Sequence, residues 1–328
     1  MWSFNMPSFL LIVTFGFQYA LAQFEIGLRD HGAALQASLK EHSNSTLENT
    51  ALQDGECRVL PEHLAHTLHK IRTAKVNYNP YAHLYIHEIF HPDLYRCMLS
   101  RLPRTISPYK QLMKNVQRYY IQLREQGVVG PCHSVVEAKA GFDKREASFR
   151  KIPTNHPGVD VPFWTKWAHD FGSDAIKVTY LNKFADTLQL RVPNATGYTN
   201  ALYFNIMMFR DQGGLNIGPH TDVNNKWVTI LYYLPKDLSV RRYGTNVYRS
   251  RSGRTQESSS KWYDAKDKDF SVVEHADFVP NSVFAFAPCF SSWHAVPRTR
   301  PGDRRDTVQA FIITPKAVDV PKAECISR

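Results

Sequence analysis

From Phe9 to Ala22 the chain is an apolar run closing on Ala20-Leu21-Ala22, and its first 22 residues carry no charged side chain. An apolar stretch of this length with a small-x-small end predicts a secretory signal peptide over residues 1–22, short for a bilayer span. No later run is long and apolar enough to cross a membrane. Residues 23–75 are polar, with Leu35, Leu39, Leu47, Leu52, Leu60, Leu64 and Leu68 at loosely helical spacing, which predicts a helical leader or cap. Beyond Asn79-Pro80 the pattern changes to His83-Leu84-Tyr85-Ile86, a short strand, and then to His91-Pro92-Asp93, a turn that starts a helix over LYRCMLSRL. Residues 161–190 predict two more helices. Phe163, Trp164 and Trp167 form the apolar face of one, and Ile176, Leu181, Phe184 and Leu188 that of the other. After Pro193 short β-rich runs follow one another: 201–210, 227–234, 244–248, 270–273, 283–286, 293–296 and 307–314. Such a succession predicts an α+β protein with a sandwich or jelly-roll sheet region and helices ahead of it. The Ser-rich, initially basic stretch 249–269 reads as a solvated flap or a substrate lid.

Composition narrows this little: 328 residues, 43% hydrophobic and 21% charged, exclude collagen-like, low-complexity and disordered chains. Lys+Arg 40 against Asp+Glu 30 leaves +10, which favours anionic partners in general and fits an ordinary basic surface equally well. Two glycosylation sequons, at Asn44 and Asn194, accord with the signal peptide and with a glycoprotein that is secreted or held in the secretory lumen. Five cysteines (Cys57, Cys97, Cys132, Cys289, Cys325) allow one or two disulfides and leave at least one thiol over. Cys289 is the expected free thiol, because it ends the apolar run Val283–Ala287, where a small buried sulfhydryl packs well.

Two metal-binding signatures compete. His87-Glu88-Ile89-Phe90-His91 matches the HExxH pattern of zinc proteases, which needs one helix running through all five residues. Pro92 follows at once, and the preceding residues read as a strand entering a turn. The second signature is His220-Thr221-Asp222, followed far downstream by His294 and then by Arg304 and Arg305. Two imidazoles and one carboxylate occupy one face of an octahedral ferrous ion and leave positions open for a chelating cosubstrate and O2.

These residues resemble the Fe(II)/2-oxoglutarate-dependent dioxygenase superfamily, in particular its prolyl 4-hydroxylase-like members. The likeness extends through NPYAHLYIHEIFHPDLYRCMLSRLP, YFNIMMFRDQGGLNIGPHTD, LYYLP followed by YGT, and HAVPRTRPGDRRDTVQAFI. It implies a double-stranded β-helix (jelly roll, cupin-like) core over about 199–315, within a dioxygenase domain at 76–316 and ahead of a tail at 317–328. It also implies that His220, Asp222 and His294 bind Fe(II) and carry the catalysis, and that an arginine meets the remote carboxylate of 2-oxoglutarate. Arg305 is favoured and Arg304 kept as the alternative, because Arg305, Thr307, Gln309 and Phe311 share one strand face and Arg305-Asp306-Thr307 resembles the family's Arg-x-Ser pair. Asn205, Tyr203 and Met207 are expected on the strand face leading to His220, with Asn205 and Thr307 as cosubstrate-binding candidates. Met207 stands where relatives carry a Tyr that helps hold the cosubstrate. Trp227 and Trp293 are candidates for the pocket wall or for plain packing.

The expected activity is that of an oxidoreductase hydroxylating a C–H bond, with Fe(2+), 2-oxoglutarate and O2, and with ascorbate as a candidate accessory. The substrate is a protein, a peptide or a secreted small molecule, with no nucleic acid expected. Two other classes compete: a secreted non-catalytic jelly-roll binding protein, and a zinc metalloprotease using His87, Glu88 and His91.

Overall fold

The computed structural model describes residues 57–112, 116–125, 157–192, 202–257, 261–314 and 320–328. The signal peptide, both sequons, the first part of the leader and Cys132 lie outside the described residues. In chain order these residues form α1 (Pro61–Thr73), β1 (His83–His87), α2 (Pro92–Ser100), β2 (Lys110–Gln111), β3 (Arg118–Glu125), α3 (Val161–Phe171), α4 (Asp174–Lys183) and α5 (Ala185–Arg191). The strands β4 (Tyr203–Gln212), β5 (Ile217–His220), β6 (Lys226–Tyr233), β7 (Thr245–Ser250), β8 (Phe270–Ala276), β9 (Ser282–Phe286), β10 (His294–Val296) and β11 (Arg304–Ile313) follow.

Two antiparallel sheets result. The larger runs β1-β9-β6-β11-β4-β3-β2 and the smaller β5-β10-β7-β8, so the chain from β4 to β11 passes repeatedly from one sheet to the other. Side-chain alternation explains the layering. On one face of the large sheet stand Phe204, Ile206 and Met208 of β4, Val228 and Ile230 of β6, Ala285 of β9, and Val308, Ala310 and Ile312 of β11, all buried. They share a core with Trp164, Trp167 and Phe171 of α3, Ile176 and Tyr180 of α4, and Leu188 of α5. Trp167 stacks on Phe171 at 4.9 Å between ring centroids and meets Tyr232 edge-on. The opposite face is mixed: Asn205, Met207, Thr229, Leu231, Arg305, Gln309 and Phe311 line a cavity shared with His220 and His294 of the small sheet. One face of a single sheet thus makes the core, and the other makes a chemically furnished interior.

Several expectations are corrected. Residues 161–190 hold three helices, because the chain turns at the buried Phe184, which ends α4 and caps α5. β3 is an additional strand; its buried Ile121 and Leu123 alternate with Gln122 and Arg124 and align it beside β4. Cys289 is not a free thiol: it pairs with Cys325, and Cys57 pairs with Cys97. An apolar neighbourhood suits a disulfide as well as a thiol, and the C-terminal segment returns to bring Cys325 alongside, where Phe290 N donates to Ala323 O. Among the described residues no helix is long and apolar enough to cross a membrane.

Candidate metal centre

β5 and β10 are paired so that His220 stands directly opposite His294. Their ring centroids are 4.2 Å apart. Asp222, two residues beyond His220, turns back to the same point, and the ligand atoms of all three lie within 4.8 Å of one another. Among the described residues this is the group of His, Cys, Asp and Glu side chains placed to hold a metal ion.

The supporting contacts suit that task. His220 Nδ1 donates to Gly218 O at 2.9 Å and His294 Nδ1 to Ser292 O at 3.0 Å. A carbonyl can only accept, so each Nδ1 carries the proton and each Nε2 keeps its lone pair for a cation. Burial, with the neighbouring His294 adding to it, lowers the His220 pKa to about 3, and burial likewise lowers that of His294. Both imidazoles are therefore neutral at physiological pH. Burial alone pushes the Asp222 carboxyl up, but nearby positive charge, that of the hydrogen-bonded Lys226 foremost, holds the group well below the usual carboxylate range. Lys226 Nζ donates to Asp222 Oδ1 and Thr229 Oγ1 to Asp222 Oδ2, each at 2.5 Å. Two neutral nitrogen donors and one oriented carboxylate make a donor set that fits a divalent first-row metal.

Two segments distant in sequence brace these three residues. Gly218 lies against the 249–269 insertion so tightly that a Cβ there would fall 1.8 Å from Tyr263 O. Gln256 Oε1 accepts from Thr221 N at 3.0 Å, so the insertion is anchored beside the ligands. From the C-terminal segment the buried Lys322 sends Nζ to Thr221 Oγ1 at 2.6 Å and to Asp222 O at 2.8 Å. The Cys289–Cys325 disulfide ties that same segment to the loop leading into His294. Replacing both cysteines by serine is expected to cost about 2–4 kcal/mol of stability. Urea unfolding measures it, and an unshifted midpoint would refute a structural role for the staple.

The cavity at these three side chains has a volume of about 400 Å³. Arg305 lines it and is fully buried, with Nε donating to Tyr243 O and Nη1 to Asp211 Oδ2. Arg304 points to the other face of β11, is 52% exposed, and pairs with Asp306. Asn205 and Met207 line the cavity, Asn205 Oδ1 accepting from Gln122 Nε2. Thr307 is buried and accepts from Gln309 Nε2, and of these two it is Gln309 that lines the cavity. Tyr203 packs with Phe311 and Ile313. Trp227 and Trp293 are wholly buried packing residues, Trp227 beneath Arg191 and Trp293 among Tyr248, Phe270 and Ala295.

Sequence reasoning passed over Arg118, Thr229, Lys226 and Trp262, which also line the cavity. The alternation in RYYIQLRE was the available signal for Arg118; Lys322 had none. The HExxH string has no helix: His87 ends β1, Glu88 has φ +53°, and His91 caps α2. The zinc-protease arrangement is therefore absent from these residues.

No protein-family model matches the chain, and no curated protein matches it in sequence. Solved structures similar to it include a 2OG-Fe(II) oxygenase-family oxidoreductase from Burkholderia pseudomallei, at 10% identity and TM-score 0.40, covering 84% of this chain and 98% of that one. A prolyl 4-hydroxylase from Phytophthora capsici aligns at 12% identity and TM-score 0.43, over 83% of this chain and 70% of its own. HygX from Streptomyces hygroscopicus, solved with nickel, 2-oxoglutarate and hygromycin B, aligns at 11% identity and TM-score 0.39, over 82% of this chain and 97% of its own.

Proposed function

We propose that the protein is a secreted or secretory-lumen Fe(II)/2-oxoglutarate-dependent oxygenase that hydroxylates a C–H bond, built on a jelly-roll scaffold formed by β4 to β11. The observation that carries this reading is the convergence of His220, Asp222 and His294 in a cavity that the buried Arg305 also lines. A facial set of two histidines and a carboxylate with open positions suits non-haem Fe(II) chemistry, whereas a tetrahedral zinc would retain a single open position.

When bound, ferrous iron with 2-oxoglutarate and O2 supplies the oxidation: 2-oxoglutarate gives succinate and CO2, and one oxygen atom enters succinate while the other becomes the hydroxyl of the product. The residues of this chain bind and orient. The Nδ1 donors to Gly218 O and Ser292 O fix both rings with Nε2 free. Thr229 and Lys226 set the plane of the Asp222 carboxylate. Arg305, in preference to Arg304, meets the remote carboxylate of the cosubstrate through Nη2, the nitrogen that its bonds to Tyr243 O and Asp211 leave free, and with a charge it never loses. Met207, Phe209 and Phe311 supply apolar wall, and Trp262 lines the same cavity with its ring 6.0 Å from that of His220. This supports a substrate-covering role for the insertion. A protein side chain, a peptide or a secreted small molecule remains the proposed substrate class.

Anaerobic addition of Fe(II) and then 2-oxoglutarate to the purified protein tests the reading. A metal-to-ligand charge-transfer band is expected in the wild type and is expected to be lost in His220→Ala. Its absence from folded wild-type protein would overturn the assignment.

A further inference from the structure

One feature of the cavity exceeds what a single cosubstrate arginine requires. β3, β4 and β11 are adjacent strands, and Arg118, Asp211 and Arg305 stand opposite one another in a single row across them. All three are buried, so within the row two guanidiniums share one carboxylate; the nearby Asp222, which also acts on Arg118, is itself paired with Lys226. The row's hydrogen bonding is incomplete. Arg305 uses Nε and Nη1 on Tyr243 O and Asp211, while its buried Nη2 has no partner. Arg118 Nε faces Asp211 Oδ1 as an ion pair at 3.5 Å, slightly too long for a hydrogen bond, so Arg118 turns that edge to Asp211. Buried N–H groups are almost always satisfied, and more so on cations. The Phe209 ring lies 4.3 Å from Arg118 Cζ and backs its guanidinium. Both arginines line the cavity that contains the metal-ligand triad.

We propose that Arg118 is a second carboxylate-binding residue, acting with Arg305 as a twin-guanidinium clamp, and that Asp211 positions both arginines. Naming the bound group as the remote carboxylate of 2-oxoglutarate rests on the function proposed above; the clamp for a carboxylate rests on the row itself. A planar carboxylate has two oxygens, so one such group accepts from Arg305 Nη2 and brings a second negative charge to a row in which two guanidiniums share one aspartate. Neither arginine alone completes the site.

Calorimetric titration of the full chain tests this, loaded with Mn(II) and without oxygen, using 2-oxoglutarate and 2-oxopentanoate, which has the same chain without the remote carboxylate. Glutarate is titrated into the metal-free protein in parallel. Arg118→Gln is expected to weaken 2-oxoglutarate and glutarate binding by about tenfold to a hundredfold, the range for a lost hydrogen bond to a charged group. Its 2-oxopentanoate affinity is expected to stay within about twofold of wild type, while Arg118→Lys, checked for folding by circular dichroism, recovers part of the loss through charge alone. Unchanged 2-oxoglutarate binding in Arg118→Gln, or equal weakening of both 2-oxo acids, would overturn the clamp. Should Arg118→Gln fail to fold, Arg118→Lys decides: a wild-type preference for 2-oxoglutarate over 2-oxopentanoate retained in full would also overturn it. Wild-type protein that takes glutarate in an Arg118-dependent manner but neither 2-oxo acid would sink the oxygenase reading and leave the carboxylate clamp standing; binding of none of the three would sink both.

Discussion

Asp222→Ala is expected to weaken Mn(II) or Fe(II) binding by far more than a hundredfold while leaving the protein folded. The comparison that sets this scale is Thr229→Val, which removes only the hydroxyl donor to Asp222 Oδ2. Loss of such an outer partner costs about 10–100-fold in metal affinity. Removing the carboxylate itself deletes the one anionic donor of the set and leaves Lys226 Nζ, formerly held at Asp222 Oδ1, as an uncompensated charge beside the cation site. His294→Ala acts on the same centre from the other sheet strand, so the two substitutions belong to one unit and their effects should not add. Titration with Mn(II), read by calorimetry, measures all three variants. Affinity in Asp222→Ala within about tenfold of wild type would mean that the triad is a structural cluster, and the proposed function would fall with it.

The largest stability effect is expected elsewhere, on the helix-facing side of the large sheet. Arg210 of β4 and Asp306 of β11 are opposite one another and almost completely buried, at 2% and 3% side-chain exposure. Arg210 Nε donates to Asp306 Oδ1 at 2.7 Å and Nη2 to Oδ2 at 3.3 Å, while Nη1 donates to Thr105 O. Asp306→Ala strands that guanidinium in an apolar layer, and breaking a buried pair from one side costs about 3–5 kcal/mol. Urea unfolding should show a lower midpoint with unchanged slope, because the surface exposed on unfolding is the same. Metal affinity should be untouched, since neither residue lines the cavity. The double change Arg210→Met with Asp306→Leu should recover most of the loss, as matched apolar replacements of buried pairs do. A single-variant loss under about 1 kcal/mol would show that the pair is solvated through local opening.

Much of the site is legible in the sequence. The short spacing of His220 and Asp222 and the late arrival of His294 suffice to suggest a facial metal triad, because the ion's chemistry restricts which residue types can serve. Strand alternation separated Arg305 from Arg304, since adjacent residues of a strand must point to opposite faces. The same period split β4 and β11 into a helix-facing apolar face and a mixed face. Other features carried no local mark. Arg118 sits on a strand whose sequence alternates like many others, and only its registration opposite Asp211 sets its charge beside that of Arg305. Lys322 and Cys325 lie in a polar terminal segment, and their contacts with Thr221, Asp222 and Cys289 depend on where that segment returns.

By itself, then, the sequence determined which side chains have metal-ligand chemistry and which residues of each strand share a face, because donor type and a period of two are local properties. The tertiary structure alone decided which faces meet. It brought His294 opposite His220, aligned two arginines on one aspartate, and paired Cys289 with the returning tail. These are consequences of strand order and register, which arise from burying the apolar face of an entire sheet and cannot be read from any one segment of it.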